Sequence, residues 1–561
     1  MNAPYYDLGT YSLPISTTDS VAQEWFDRGL KWTYGYNHHE AITCFRNVLE
    51  YDPNCAMAWW GIAYASGPNY NLPWHVLDSA SRSEALATAY DATQHALSRL
   101  EITTPLEKAL ILALRARYPY RNPIDDMRPW NHDFAIEMRK IHATFPDFPD
   151  ACALFADALL NLTPWKMWNL KTAKPADGAA THECQRILEQ AMASLPQAMT
   201  HPGILHFYVH LMEMSPHPEK ALMAGDTLRT LCPDAGHLVH MATHIDVLCG
   251  QYRDAVFWNQ CANKADQKYL DREGARNLYT GYRLHNYHFV IYGAMLLGQL
   301  RPALEAVRGI IDTTPIDILR TESPPMADYF ESYFAMEPHV LIRFGQWRQL
   351  TQMPLPDDPT LFRTLTANTY YGRGMAFAAL GDIEAAENEE QLFLSARDDV
   401  PESRLLHNNK VCDLLEIATD TLRGEICYRK GDFDLAFSCL RRAVEKEDNL
   451  RYDEPWGWMQ PSRHALGALL LEQGSIDEAE AVFREDLGYA GNLSRATIHP
   501  DNVWSLRGLY DCLTARGISS EQDQVKYRLD LALARSDHNI TSSCYCSQVA
   551  MQASSQDSGH L

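Results

Sequence analysis

Residues 22–53 read AQEWFDRGLKWTYGYNHHEAITCFRNVLEYDP, and this stretch decides the fold. With Ala22 as position 1, Trp25 falls at position 4, Gly29 at 8, Ala41 at 20, Phe45 at 24 and Pro53 at 32. This is the pattern of two helices joined by a short turn and repeated about every 34 residues. Small residues at 8 and 20 let the paired helices approach. The aromatic at 24 fills the gap between them, and Pro at 32 ends the second helix. Asn37 and the NHHEA segment that it opens, with His38 and His39, read as cap and turn. Residues 54–67, with Trp59, Trp60 and Tyr64, start the next first helix.

The pattern recurs outward from there. Gly250 and Ala255 lie in GQYRDA, and Gly298 and Ala303 lie in GQLRPA, 48 residues further on. Taking each Gly as position 15 and each Ala as position 20 starts repeats at Gly236 and Leu284. Stepping back 34 from Gly236 gives Pro202, which sets Ala221 at 20 and Pro233 at 32. Gly345 sets a frame from Glu331 with His339 at 9. Further repeats carry Gly374, Gly381 and Ala386, then Gly424, Gly431 and Ala436, then Gly467, Gly474, Ala479 and Phe483. Trp504 and Gly508 close the array.

Residues 81–147 read as helical but off-period, and 150–162 as another first helix. TPWKMWNLKTAKPADGA, from Thr163, breaks the pattern. Its Trp165 and Trp168 either cover a groove mouth or pack outside it. The resulting boundaries are an N-terminal extension at 1–21, a repeat array at 22–535 and a polar, Ser-rich, disordered tail at 536–561.

This chain resembles the tetratricopeptide-repeat family over most of Ala22 to Arg516. The resemblance implies an all-α, right-handed helical-repeat superhelix, an α-solenoid. In that family the first helices line the concave face, and positions 2, 5, 9 and 12 contact ligands. HPGILHFYVH from His201 and AGHLVHMATH from Ala235 also resemble a group of bacterial and fungal repeat proteins with HPGxxHxYxH and AGHLVHMxxH segments.

The histidines follow the same frame. His206 and His210 fall at positions 5 and 9, with Glu213 at 12. His237, His240 and His244 fall at 2, 5 and 9, and His285 and His288 at 2 and 5. Steps of three and four keep each set on one helix face. Seven of the nine slots at positions 2, 5 and 9 of these three repeats hold His, the exceptions being Gly203 and Tyr292, although the chain has 22 His in 561 residues. Within the resemblance, these stripes face a groove spanning 201–292.

Neutral imidazole is a common metal ligand, and His at i and i+4 is a chelating pair. His206, His210, His240, His244 and His288 are the first-choice ligands. His237 and His285 are equally suited to outer-shell or substrate-facing roles. Glu213 is a ligand or general base, and Tyr292 a hydrogen-bonding partner for a substrate. A His-rich, carboxylate-poor set suits copper or zinc, with iron possible. The expected function is a copper- or iron-dependent oxidoreductase that uses dioxygen on a small organic molecule. Two alternatives stay open. One is a repeat scaffold that binds a peptide or protein partner, or a second copy of itself, without catalysis. The other is a zinc hydrolase or lyase.

Composition narrows the partners. The hydrophobic fraction of 46% supplies a core, and a net charge of −23, from 72 acids against 49 bases, argues against nucleic acid or an anionic membrane. The start, MNAPYYDLGTYSLP, has no signal-peptide character, and the longest apolar run, near 289–297, is too short to span a bilayer. Thirteen scattered cysteines suggest free thiols in the cytoplasm. Cys544 and Cys546 are either ordinary thiols or a spot for metal or redox chemistry. No GxGxxG, P-loop, GxSxG or HExxH occurs in a usable context, so no nucleotide cofactor is expected.

Overall fold

The computed structural model describes residues 5–517 and 519–547. Among them the fold is all-α, apart from two short antiparallel ladders: Trp168–Asn169 with Lys174–Pro175, and Leu405–Leu406 with Asn409–Lys410. The chain divides into two units. Unit 1 comprises Met1–Ile245 with Cys261–Arg272, and unit 2 comprises Asp246–Gln260 with Glu273–Leu561. No helix of the described residues is long and apolar enough to cross a membrane.

Unit 1 holds α1 (Ser20–Tyr34), α2 (His38–Tyr51), α3 (Ala56–Ser66), α4 (Ser79–Leu97), α5 (Pro105–Arg117), α6 (Arg128–Thr144), α7 (Pro149–Leu160), α8 (Thr181–Ser194), α9 (Pro202–Glu213) and α10 (Leu222–Leu231). The residues of α11 (Gly236–Leu248) and α12 (Tyr252–Glu273) are divided between the two units. The Asp19 carboxylate caps α1 by accepting the Val21 and Ala22 N–H groups at 2.8 and 2.9 Å. Asn37 caps α2 through the Glu40 N–H at 3.2 Å, as NHHEA leads one to expect.

Packing in the first hairpin follows the repeat frame. The Phe45 ring is fully buried between two glycines. A Cβ on Gly29 would lie 2.7 Å from it, and one on Gly61 2.6 Å. Only a residue without Cβ lets α1 and α3 close on that ring. Burying a phenyl group this way stabilises the hairpin by about 1.5–3 kcal/mol. Phe483 repeats the arrangement in unit 2, where a Cβ on Gly467 or Gly508 would come within 2.5 or 2.3 Å of its ring.

Unit 2 continues with α13 (Thr280–Leu297), α14 (Leu300–Thr313), the short α15 (Ile316–Leu319) and α16 (Met326–Phe330), α17 (Met336–Arg343), α18 (Trp347–Thr351), α19 (Arg363–Ala379) and α20 (Ile383–Asp398). It ends with α21 (Val411–Arg429), α22 (Phe433–Asp448), α23 (Ser462–Glu472), α24 (Ile476–Asp486), α25 (Val503–Arg516) and α26 (Ser519–Leu533). Gly298 of GQLRPA sits at φ +74°, and the Gln299 N–H reaches back to the Ala294 carbonyl at 2.8 Å. This is the helix-ending motif that glycine adopts without strain. Gly250 of GQYRDA repeats it, with Gln251 N–H on the Asp246 carbonyl at 2.7 Å.

The stretch from residue 536, expected on composition to be a disordered tail, is ordered as far as Ser547. Asp537 caps α14 by accepting the Leu300 and Arg301 N–H groups at 2.6 and 3.1 Å, and Tyr545 and Cys546 are buried. Residues 548–561 of that expected tail lie outside the described residues. Cys544 and Cys546 are disulfide-bonded to each other rather than free. The other eleven cysteines form no disulfide among the described residues.

Candidate metal centre

His201, the first histidine of the HPG segment, is not available as a ligand. Its Nδ1 accepts the Ile204 N–H at 3.1 Å, capping α9, and its Nε2 lies 3.3 Å from Asp150 Oδ1. One turn later the same helix presents His206 and His210. A ligand nitrogen from each of His206, His210 and His237 lies within 4.8 Å of the other two, and all three side chains are buried. The rings of His206 and His237 meet edge to face at 5.0 Å, and those of His206 and His210 lie 4.7 Å apart.

Hydrogen bonds fix how these rings point. His206 Nδ1 lies 2.6 Å from the carbonyl oxygen of Tyr34. A carbonyl only accepts, so Nδ1 carries the proton and the lone pair sits on Nε2. That Nε2 is buried and has no hydrogen-bond partner. His210 Nδ1 lies 3.1 Å from both carboxylate oxygens of Glu213, and His244 Nδ1 lies 2.9 Å from Glu213 Oε2. One buried carboxylate thus orients two imidazoles and turns each Nε2 away from itself. His240 and His244 bring their Nε2 atoms to 2.7 Å. Burial, reinforced by His210, holds His206 well below the usual imidazole range. Burial, reinforced by His206 and His240, does the same to His237. Both rings are neutral at pH 7, which is the form that binds metal.

Aromatic side chains close the site. Tyr36, at φ +56°, stacks on His210 and His237 at 5.8 Å each and lies 4.6 Å from His206. Trp165, at φ +57°, sets its indole edge-on to His210 at 5.9 Å, and Tyr70 packs beside both, at 4.7 Å from His210 and 5.1 Å from Trp165. Trp168 donates its indole N–H to the Leu211 carbonyl at 2.7 Å. Of the two placements open for this loop, the structure has it packing against His210 of α9.

The remaining candidates, His285, His288 and Tyr292, belong to unit 2. His285 stacks on His407 at 4.7 Å, and His288 Nε2 lies 2.9 Å from the Met459 sulfur. Tyr292 donates its hydroxyl to His499 Nε2 at 2.8 Å, so its hydrogen-bonding partner is a protein ring. His499 Nδ1 bonds Asp486 Oδ1 at 2.7 Å, and His464 Nε2 bonds Asp486 Oδ2 at 3.0 Å. Arg343 donates to His464 Nδ1 at 3.1 Å. The result is a buried relay from Tyr292 to Arg343. Burial alone would raise the Asp486 carboxyl, but His464 and His499 outweigh it and hold it well below the usual carboxylate range.

Sequence reasoning missed Tyr34, Tyr36, Met459, Asp486 and His499. The HP pair at His499 echoes the HP pair at His201, since each His bonds a buried Asp, His201 at the start of α9 and His499 four residues before α25. That echo was the available signal.

No protein-family profile matches the chain, and no curated protein matches it. Solved structures to which the chain is similar include the Cut9–Hcn1 hetero-tetramer of APC/C, at 13% identity over 96% of this chain and 97% of that chain, with a TM-score of 0.27. Yeast Tom70 is 13% identical over 91% of this chain and 99% of that chain, with a TM-score of 0.29. A human IFIT1 dimer with m7Gppp-AAAA is 12% identical over 92% and 90%, with a TM-score of 0.27. At these levels the comparisons carry no inference about activity.

Proposed function

We propose that the chain is a metal-dependent enzyme whose histidine centre in unit 1 holds copper or iron and serves the oxidation of a small organic molecule by dioxygen in the cytoplasm. The observations that carry this reading are the buried, partnerless Nε2 of His206 and the approach of one ligand nitrogen from each of His206, His210 and His237 to within 4.8 Å of one another. A buried polar atom without a partner costs about 1–3 kcal/mol. A cation bound by the three imidazoles would remove that cost. Three neutral nitrogen donors suit copper, zinc or iron, and Glu213 behind His210 and His244 is the outer carboxylate that such sites use to orient their ligands.

Two features favour the redox reading over the alternatives. Tyr36, Tyr70 and Trp165 surround the His210 ring, which suits a small apolar oxidant better than a water nucleophile. A peptide-docking groove would need the imidazoles to face a partner, yet His206, His210 and His237 are 0–2% exposed. The bound metal would supply one-electron chemistry toward dioxygen. The protein residues hold the ring tautomers through Tyr34 and Glu213 and exclude water. The test is metal analysis of untagged protein after supplementation with copper, iron or zinc separately, with optical and EPR spectra. Stoichiometric copper or iron that survives gel filtration is expected. Zinc alone would favour the hydrolase or lyase, and no retained metal would overturn the enzyme reading.

A further inference from the structure

Unit 2 contains a second cluster whose chemistry differs from that of the first. His288 on α13 brings Nε2 to 2.9 Å from the Met459 sulfur, and both side chains are 1% exposed. A thioether is a weak hydrogen-bond acceptor. His288 Nδ1 is also buried and has no hydrogen-bond partner. Whichever nitrogen carries the proton, this ring lacks a strong partner on either side. Met459 also lines a cavity of about 20 Å³ with His339, Met336 and Trp458. That is room for one small occupant. His339 Nδ1 is buried without a hydrogen-bond partner as well. Trp458 stands edge-on to the His339 ring at 5.0 Å, and Tyr333 edge-on to the His288 ring at 5.6 Å.

We infer that His288 and Met459, with His339 beside them, form a soft-metal site that takes a monovalent, thiophilic cation, Cu(I). Three arguments select that class. Thioether sulfur with imidazole nitrogen is a soft donor set that suits Cu(I) and is a poor match for magnesium or calcium. The cavity lining includes no carboxylate, so nothing there balances a second positive charge. The cost of burying an ion grows with the square of its charge, so a +1 ion is penalised roughly a quarter as much as a +2 ion. Burial, with His407 and His339 nearby, lowers His288 to about 3, which keeps the ring an electron-pair donor across the physiological range. The inference does not depend on whether the unit 1 centre holds metal.

The experiment uses the full chain with its partly exposed thiols, Cys249, Cys261 and Cys412, alkylated. Protein labelled with 13C at the methionine methyls is titrated with Ag(I), a redox-silent stand-in for Cu(I). Met459→Leu assigns the resonance. The Met459 methyl signal is expected to shift at the first equivalent, and Met459→Leu is expected to bind one equivalent fewer. A Met459 signal that does not move, or a Met459→Leu protein that binds as many equivalents as the parent, overturns the site. If Met459→Leu loses its helical circular dichroism, replacing methionine by norleucine keeps the side-chain shape and removes the sulfur, and it must lose the same equivalent. His206→Gln separates the two centres, because it must leave the Met459 response intact whatever it does to metal in unit 1.

Discussion

His206 Nδ1 lies 2.6 Å from the Tyr34 carbonyl oxygen, a bond between residues 172 positions apart. It ties the end of α1 to the middle of α9 and fixes the His206 tautomer. One backbone oxygen thereby decides which nitrogen of a distant ring can bind a cation.

The outer carboxylate should matter less than a ligand but measurably. Glu213→Gln keeps the side-chain shape and removes the charge that orients His210 and His244. We expect it to weaken metal affinity by roughly 10–100-fold, the usual effect of losing an outer-shell partner. His206→Gln, which removes a donor nitrogen, should weaken it further. Competition with a chromophoric chelator measures both. Equal affinity for the parent and Glu213→Gln would remove Glu213 from the centre.

Trp165 lies 5.9 Å from the His210 ring, well within quenching range of a paramagnetic ion. Cu(II) loading should dim tryptophan emission, and Trp165→Phe should lose a large part of that response. An undiminished response in Trp165→Phe would mean that copper sits elsewhere.

The metal-free protein should lose stability in mild acid. Burial lowers His339 and His464 to about 4 and His288 to about 3, and holds His206 and His237 well below the usual range. The unfolded chain protonates its histidines near 6.5. Between that value and about 4, the unfolded state therefore binds more protons, and stability falls as pH falls, by about 1.4 kcal/mol per pH unit for each such ring. Glu447 acts in the opposite sense. Burial raises it to about 7, so the stability it contributes is present in acid and lost as pH rises through 7. His38, lowered by burial to about 4, adds to these rings, and together they outweigh the Glu447 carboxyl. The urea midpoint should drop between pH 7 and pH 5.5, and a flat midpoint would contradict these assignments.

The unit 2 relay gives a graded pair. Tyr292→Phe leaves His499 Nε2 without its donor, which costs about 1–3 kcal/mol. Asp486→Asn removes the charge that accepts from His464, His499, Asn502 and Ser505, and should cost about 3–5 kcal/mol. Thermal melts of both variants check the order. A Tyr292→Phe protein less stable than Asp486→Asn would reverse the reading.

The frame from Ala22 was legible because small and aromatic residues at fixed spacing admit few packings. Gly29 against Phe45 and Gly467 against Phe483 are where those spacings lead. The i, i+4 histidines on α9 were legible for the same reason, since periodicity places them on one face. Periodicity alone does not say which rings come together, and here His237 from α11 joins His206 and His210. Nor does it show what meets that face from elsewhere in the chain. Tyr34 ends the first helix, Tyr36 follows it, and Trp165 comes from an insertion outside the repeat. Met459 reaches His288 across 171 residues. No local signal marks such contacts, because burial and distance are properties of the folded chain. The tail at 536–547 was misread because Ser-rich composition concealed Asp537, Tyr545 and Cys546.

The indole of Trp168, anchored on the Leu211 carbonyl, ties the 163–180 segment to the histidine-bearing α9, which bears on how an ion would reach the proposed centre. With the imidazoles at 0–2% exposure, an ion bound there would exchange with the medium only when the surrounding structure opens. If the centre holds metal as proposed, its occupancy would be set largely while the nascent polypeptide folds. It should respond slowly to later chelators or added salts, so batches of one sequence grown in different media would keep different contents long after purification.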